Sequence, residues 1–359
     1  MDFQTSPEII EALNKAVSHG IYGYSESKEE YFDAVYNWYN DNFNWQVKKE
    51  WLIKTPGVVF AIALAINALT NEGDSVLIQN PVYYPFTEVI IDNNRKLVNN
   101  SLVRNGKKYE IDFEDFEKQV KDPAVKLFIL CNPHNPTGRV WEIEELQEVV
   151  DICKEYDLLL ISDEIHEDFV KKGHKFVSCL HFQEDLQGRM IVCNSITKTF
   201  NVPGVILSNL LIPDQGIRER MKETMDRWGL HNPNIFAAGI MEAAYTQCDE
   251  WIEQVNAYLD ENYEFLKKYL EKNMPELEVI PSEGTYMAWV QTEKLQISPE
   301  ELEKFFIEDA KVSVYMGSRY GKHTDSFIRI NIATSRSYLQ EALERIRAQY
   351  YKIAPNNKK

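Results

Sequence analysis

No stretch of this chain approaches the ~20 consecutive apolar residues that a membrane-crossing helix needs. Its amino terminus also lacks the charged and apolar regions of a secretory signal. Positive charge is in short supply: 39 Lys and Arg face 56 Asp and Glu, a net charge of −17. A surface for nucleic acid or anionic lipid needs a basic patch, so neither partner is expected. Cysteines are few and odd in number (Cys131, Cys153, Cys179, Cys193, Cys248), with no C-x-x-C pair. That argues against a disulfide framework or a zinc site and for buried thiols in the reducing cytoplasm. Internal repeats and low-complexity tracts are missing, and only Pro355 to Lys359 reads as disordered.

What is present is an ordinary soluble composition, 44% hydrophobic and 26% charged, over 359 residues. That length exceeds what one core usually serves, so two domains are expected. We place the first over 33–250 and form the second from 1–32 together with 251–359.

Apolar spacing predicts helices over Thr5 to Val17, Lys28 to Asn42, Ala61 to Leu69 and Ile143 to Tyr156. Between them lie short, continuous apolar runs, Ser75 to Ile78, Val125 to Leu130, Leu158 to Ile161 and Met190 to Cys193. Such runs alternating with helices predict a mostly parallel sheet buried on both faces. Helices follow from Ile217 to Trp228, from Phe236 to Tyr245 after Asn232-Pro233, and from Glu250 to about Asn273. The last hundred residues alternate strands (Leu277 to Ile280, Tyr286 to Val290, Val312 to Tyr315, Phe327 to Ile332) with helices (Pro299 to Ala310, Tyr338 to Tyr351), a smaller α/β unit.

The run Met190 to Cys193 delivers Asn194-Ser195-Ile196-Thr197-Lys198-Thr199. A lysine at the mouth of a buried strand, ringed by hydroxyls, can condense with an aldehyde, although a lone lysine is ordinarily a surface residue. Two other strand ends offer Asn135 and Asp163. In an open α/β sheet, ligands bind outside the carboxyl ends of the strands, so the three can converge. An amide, a carboxylate and a lysine together suit an aldehyde cofactor with a pyridine ring: the lysine bonds the aldehyde, the carboxylate keeps the ring nitrogen protonated, and the amide bonds the ring oxygen. The Pro56-Gly57 turn, feeding a helix, leaves the N–H groups of Gly57, Val58 and Val59 free for a phosphate, helped by Ser195.

These residues carry a resemblance. The chain resembles fold type I pyridoxal 5'-phosphate (PLP) enzymes of the class I/II aminotransferase superfamily, and within it the MalY/PatB-type cystathionine β-lyases (cysteine-S-conjugate β-lyases). The matching pieces run in order through the whole chain: Met1-Asp2-Phe3, Gly20 to Ser25, Pro56 to Val59, Pro81-Val82-Tyr83, Asn132 to Gly138, Ser162 to His166, Ser195 to Asn201, Gly284 to Trp289 and Phe327 to Asn331. The resemblance implies a PLP-dependent transferase-like α/β fold, with a large domain built on a mostly parallel mixed sheet plus a smaller α/β domain. It implies that Lys198 holds the cofactor and then takes the α-proton, with Asp163 on the ring nitrogen and Asn135 on the ring oxygen. His166 stands near that oxygen, Tyr83 stacks on the ring, Ser195 holds the phosphate, and Arg329 clamps the substrate carboxylate. Tyr24 reaches the phosphate of a neighbouring subunit, which implies a homodimer.

Two departures follow. Relatives usually carry a further stretch ahead of the Met1-Asp2-Phe3 element, and it lines the active site and wraps the partner. Ile206 also stands where many aminotransferases have an arginine, as is usual in the β-lyase branch. The expected reaction is β-elimination of a thiol from cystathionine or a related cysteine S-conjugate, giving pyruvate and ammonia. Transamination at the same site is the first alternative. A non-catalytic regulatory module and a metal hydrolase using Asp163, His166 and Glu167 are the others.

Overall fold

The computed structural model describes residues 1–24, 26–230 and 234–353. Ser25, the Asn232-Pro233 break and the Pro355 to Lys359 tail therefore lie outside the described residues.

Among the described residues thirteen strands appear in chain order: β1 Leu52–Thr55, β2 Ser75–Ile78, β3 Lys96–Asn99, β4 Val103–Asn105, β5 Lys108–Glu110, β6 Val125–Cys131, β7 Leu159–Asp163, β8 Met190–Asn194, β9 Ser208–Leu211, β10 Glu278–Val279, β11 Met287–Gln291, β12 Tyr315–Met316 and β13 Phe327–Asn331. Seven form one sheet in the order β1-β9-β8-β7-β6-β2-β3. The five from β8 to β3 are mutually parallel, and β9 runs antiparallel to both β8 and β1. This is the mostly parallel mixed sheet that the sequence predicts. Strands β2 and β8 are buried at every residue, as continuous apolar runs between two helical layers must be. On one face pack the helices Val58–Leu69, Pro85–Asp92 and Gln215–Arg227, whose Ile62, Ile66, Phe86, Ile90 and Met221 close a core over Ile78, Ile129 and Ile161.

The other face joins a larger core that continues into a four-stranded antiparallel sheet, β10-β11-β13-β12. The helices Asp249–Asn273 and Arg336–Ile353 belong to that core. The Pro299 helix is regular only to Lys304 and continues as a π-helical turn over Phe305–Asp309. The strand expected over Val312 to Tyr315 shrinks to Tyr315–Met316. After the lysine helix, Pro203–Val205 forms a 3-10 turn and the chain becomes strand only at Ser208–Leu211. Among the described residues no helix is long and apolar enough to cross a membrane.

Candidate active site

Three neighbouring parallel strands end side by side. In the ladders Cys131 pairs with Asp163, and Asp163 pairs with Cys193. Each strand then hands its chain to a loop that carries chemistry, so residues far apart in sequence open on one cavity of about 440 Å³. Its lining includes Lys198, Asp163, Asn135, His166, Tyr83 and Arg329. Gly57, Val58 and Val59 line it too.

The loop after β6 is tightly held. The Asn132 N–H donates to the Asp163 carbonyl (2.9 Å), and the His134 N–H donates to the Arg139 carbonyl (2.7 Å). The Asn135 N–H points at the Cys131 sulfur (3.4 Å). Gly138 closes the loop at φ +74°, and a Cβ there would lie 2.3 Å from Ser282 Oγ, so only glycine fits. This loop presents Asn135, whose Oδ1 accepts a hydrogen bond from Arg329 Nη1 at 2.9 Å. Arg329 itself comes from β13 and is buried, with its guanidinium 4.5 Å from the Tyr315 ring and 5.2 Å from that of Tyr320.

Asp163 is the last residue of β7 and 4% exposed. Burial pushes its carboxyl up to about 7, against the pull of the Ile165 N–H and of Lys198. Lys198 rides on the short helix Ile196–Thr199, and burial lowers its amine while Asp163 raises it and Arg329 lowers it further. Both members of the pair are thus biased toward their neutral forms by desolvation. An amine held below its ordinary value is the better nucleophile and base at neutral pH. The helix is pinned from behind by Thr199 Oγ1, which donates to Asp168 (2.5 Å).

His166 is buried, its imidazole driven down to about 3 by burial and by Lys198 and Arg329. It stands edge-on to Tyr286, 5.3 Å between centroids. Burial raises the Tyr83 hydroxyl to about 12, with Asp163 adding to the rise.

Two expected phosphate residues stand differently in one chain. Ser195 does not line the cavity: its hydroxyl caps the lysine helix, accepting from the Thr197 N–H (3.1 Å) and donating to the Leu207 carbonyl (2.5 Å). Thr197 lines the cavity instead. Tyr24 is 96% exposed and away from its own chain's cavity. Sequence reasoning did not single out Tyr84, Tyr315 or Cys131, all of which line the cavity, whereas Thr197 was among the hydroxyls read around Lys198. Cys131 was reachable, since it stands in register with Asp163.

The residues present fit a phosphorylated pyridine aldehyde. Two buried polar atoms of cavity residues, His166 Nδ1 and Arg329 Nε, have no partner. Such atoms cost roughly 1–3 kcal/mol each unless a bound group satisfies them. The first N–H groups of the helix Val58–Leu69 have no intrahelical partner, and they follow Gly57 at φ +102° with open space where a Cβ would stand.

Comparison with known proteins agrees with this geometry. The family model described as "Aminotransferase class I and II" matches residues 1–346. The cystathionine β-lyase PatB of Bacillus subtilis is 35% identical over 348 residues, covering 97% of this chain and 90% of PatB. The crystal structure of cystalysin from Treponema denticola, which contains a pyridoxal 5'-phosphate cofactor, superposes with a TM-score of 0.96 at 35% identity, covering 98% of this chain and 89% of that one. A PLP-bound putative aminotransferase from Clostridium difficile 630 gives a TM-score of 0.95 at 40% identity over 98% of this chain and 90% of its own. On the family match, on these likenesses and on the fold, this chain belongs to the class I and II aminotransferase family.

Proposed function

We propose that this chain is a PLP-dependent carbon–sulfur β-lyase acting on cystathionine or related cysteine S-conjugates. The observation that carries the reading is the meeting of Lys198, Asp163, Asn135 and Arg329 in one cavity, the last two joined by a hydrogen bond. The likeness to PatB selects the lyase among the reactions the family supports.

Bound PLP supplies an aldehyde for an amine and a cationic ring that takes up the electron pair left when a C–H bond is broken. Lys198 would hold the aldehyde, the Asp163 carboxylate would pair with the ring N–H, and Asn135 would bond the ring oxygen. Tyr83 would stack on the ring, and His166 would stand near its oxygen. The N–H groups of Gly57, Val58 and Val59 would take the phosphate, with a hydroxyl from the capped Ser195–Thr197 turn. The Arg329 fork takes the substrate carboxylate, which orients the Cα–H bond. Lys198 Nζ, once free, accepts the α-proton. The Cβ–S bond then breaks with its electron pair on sulfur, and water converts the three-carbon remainder to pyruvate and ammonia.

We further propose a homodimer in which Tyr24 reaches the partner's phosphate site. Ile21, Tyr22 and Tyr24 are 70%, 56% and 96% exposed, a cost in apolar area that a partner would remove. The five buried free thiols favour a cytoplasmic enzyme. The division into a unit over 33–250 and a second over 1–32 with 251–359 is supported by the seven-stranded sheet lying wholly in the first and the four-stranded sheet wholly in the second. The test of function is to supply L-cystathionine and follow thiol and pyruvate against amino transfer to a keto acid. Rapid transfer without thiol release would make the chain an aminotransferase instead.

A further inference from the structure

Beyond the clamp and the lysine, the cavity has little with which to hold a second charged group. Apart from the Met1 amino group, which burial and then Lys198 lower from its ordinary value against the pull of Asp2, the charged groups among its described lining residues are Lys198, Arg329 and Asp163. The proposed reaction already commits all three. L-Cystathionine carries a second ammonium and a second carboxylate at its far end, and burying charges without partners is costly.

What the rest of the cavity does offer is aromatic. Tyr315 stands opposite Arg329 in the β12–β13 ladder, its ring 4.5 Å from the guanidinium and 43% exposed. A substrate carboxylate held by the Arg329 guanidinium therefore sits beside that ring. Tyr84 also lines the cavity and packs on Tyr83, 5.7 Å between centroids. The next cation outward, Arg319, lies 5.5 Å from the Tyr84 ring and 5.9 Å from that of Tyr315, and it does not line the cavity. The exposed Ile21 to Tyr24 loop, if it completes the partner's cavity, brings apolar and aromatic groups but no cation.

We propose that Tyr315 and Tyr84 form the subsite for the substituent beyond sulfur, and that the preferred substrates are cysteine S-conjugates with a neutral aromatic or apolar group. The proposal rests on the β-lyase reading. The reaction balances as for any such conjugate: the α-proton goes to Lys198, the electron pair of Cβ–S leaves on sulfur as a thiolate, and water yields pyruvate and ammonia.

The test compares S-benzyl-L-cysteine, S-ethyl-L-cysteine and L-cystathionine with the PLP-loaded enzyme. All three release alkyl thiolates, so the chemistry of the leaving group is closely matched. The expected kcat/KM for S-benzyl-L-cysteine exceeds that for L-cystathionine by about tenfold or more, as one or two aromatic contacts can supply. Tyr315→Ala is expected to lower the ratio of S-benzyl to S-ethyl turnover about fivefold, and Tyr315→Phe to restore it. Arg319→Ala is expected to leave the ranking of the three unchanged. A preference for L-cystathionine would overturn the proposal, as would a selective loss of L-cystathionine turnover in Arg319→Ala. So would a Tyr315→Ala variant that slows all three alike, since the ring would then act only through Arg329. If no thiol is released from any of the three, the β-lyase reading itself fails, and the subsite falls with it.

Discussion

Arg329 Nη1 donates to Asn135 Oδ1 at 2.9 Å, joining two residues separated by 194 positions, one on β13 and one in the loop after β6. One hydrogen bond thus ties the substrate's carboxylate clamp to the amide proposed for the ring oxygen. The planar guanidinium makes both this bond and a fork for a carboxylate, which an ammonium cannot copy. Arg329→Lys is therefore expected to lower kcat/KM by about 100-fold, mostly through KM. Initial-rate kinetics on a cysteine S-conjugate check this, and an unchanged KM would remove Arg329 from the clamp.

Asp163 is the acid whose environment most needs a partner. Burial holds its carboxyl near 7, and a cationic ring nitrogen would draw it back toward the carboxylate. Asp163→Asn keeps the shape and loses the charge, so kcat is expected to fall by about 100- to 1000-fold. Titration of the variant with PLP should show weaker binding as well. Near-normal turnover would mean that the ring nitrogen is not held by this residue.

Glu164 sits behind the site, fully buried, with Oε1 bonded to the Ser162 hydroxyl and the Cys179 N–H and with Oε2 unpartnered. Burial raises its carboxyl to about 7. Because the folded value lies above the unfolded one, the folded chain binds more protons between about pH 4.5 and 7, and stability falls as pH rises through that window. Glu164→Gln removes this contribution. Its Tm relative to the wild type should climb from pH 4.5 to 7 and level off above. Thermal melts across that range decide it, and a constant offset would contradict it.

Gly138→Ala should damage both stability and activity. The residue lies at φ +74°, and the added Cβ would meet Ser282 Oγ at 2.3 Å and Ser282 Cα at 3.1 Å. A destabilisation of about 1–3 kcal/mol is expected, with the Asn135 loop displaced. Adding Ser282→Gly should recover only part of the loss, because the backbone strain remains. Denaturant unfolding of both variants measures it.

The parallel strands were legible because β2, β7 and β8 are buried on both faces and centre on apolar runs, and β6 is apolar after its one exposed residue, Lys126. Strands β1 and β3 at the sheet edges, and the exposed β4–β5 hairpin, leave no such run: Lys54, Lys96 and Arg104 interrupt them. The convergence of Asn135, Asp163 and Lys198 followed from the rule about strand ends, since each lies at or just past one. Arg329 came only by resemblance, because its approach depends on how one sheet sits against the other. Tyr315 went unread for the same reason. The placement of Ser195 turned on a hydrogen bond to Leu207, twelve residues on, that spacing cannot show.

The most direct measurement is chemical. PLP-loaded protein is reduced with sodium borohydride, digested, and searched by mass spectrometry for the lysine that carries the pyridoxyl group. The account requires that group on Lys198 and its disappearance in Lys198→Ala. A pyridoxyl group on any other lysine, or on none, would contradict it.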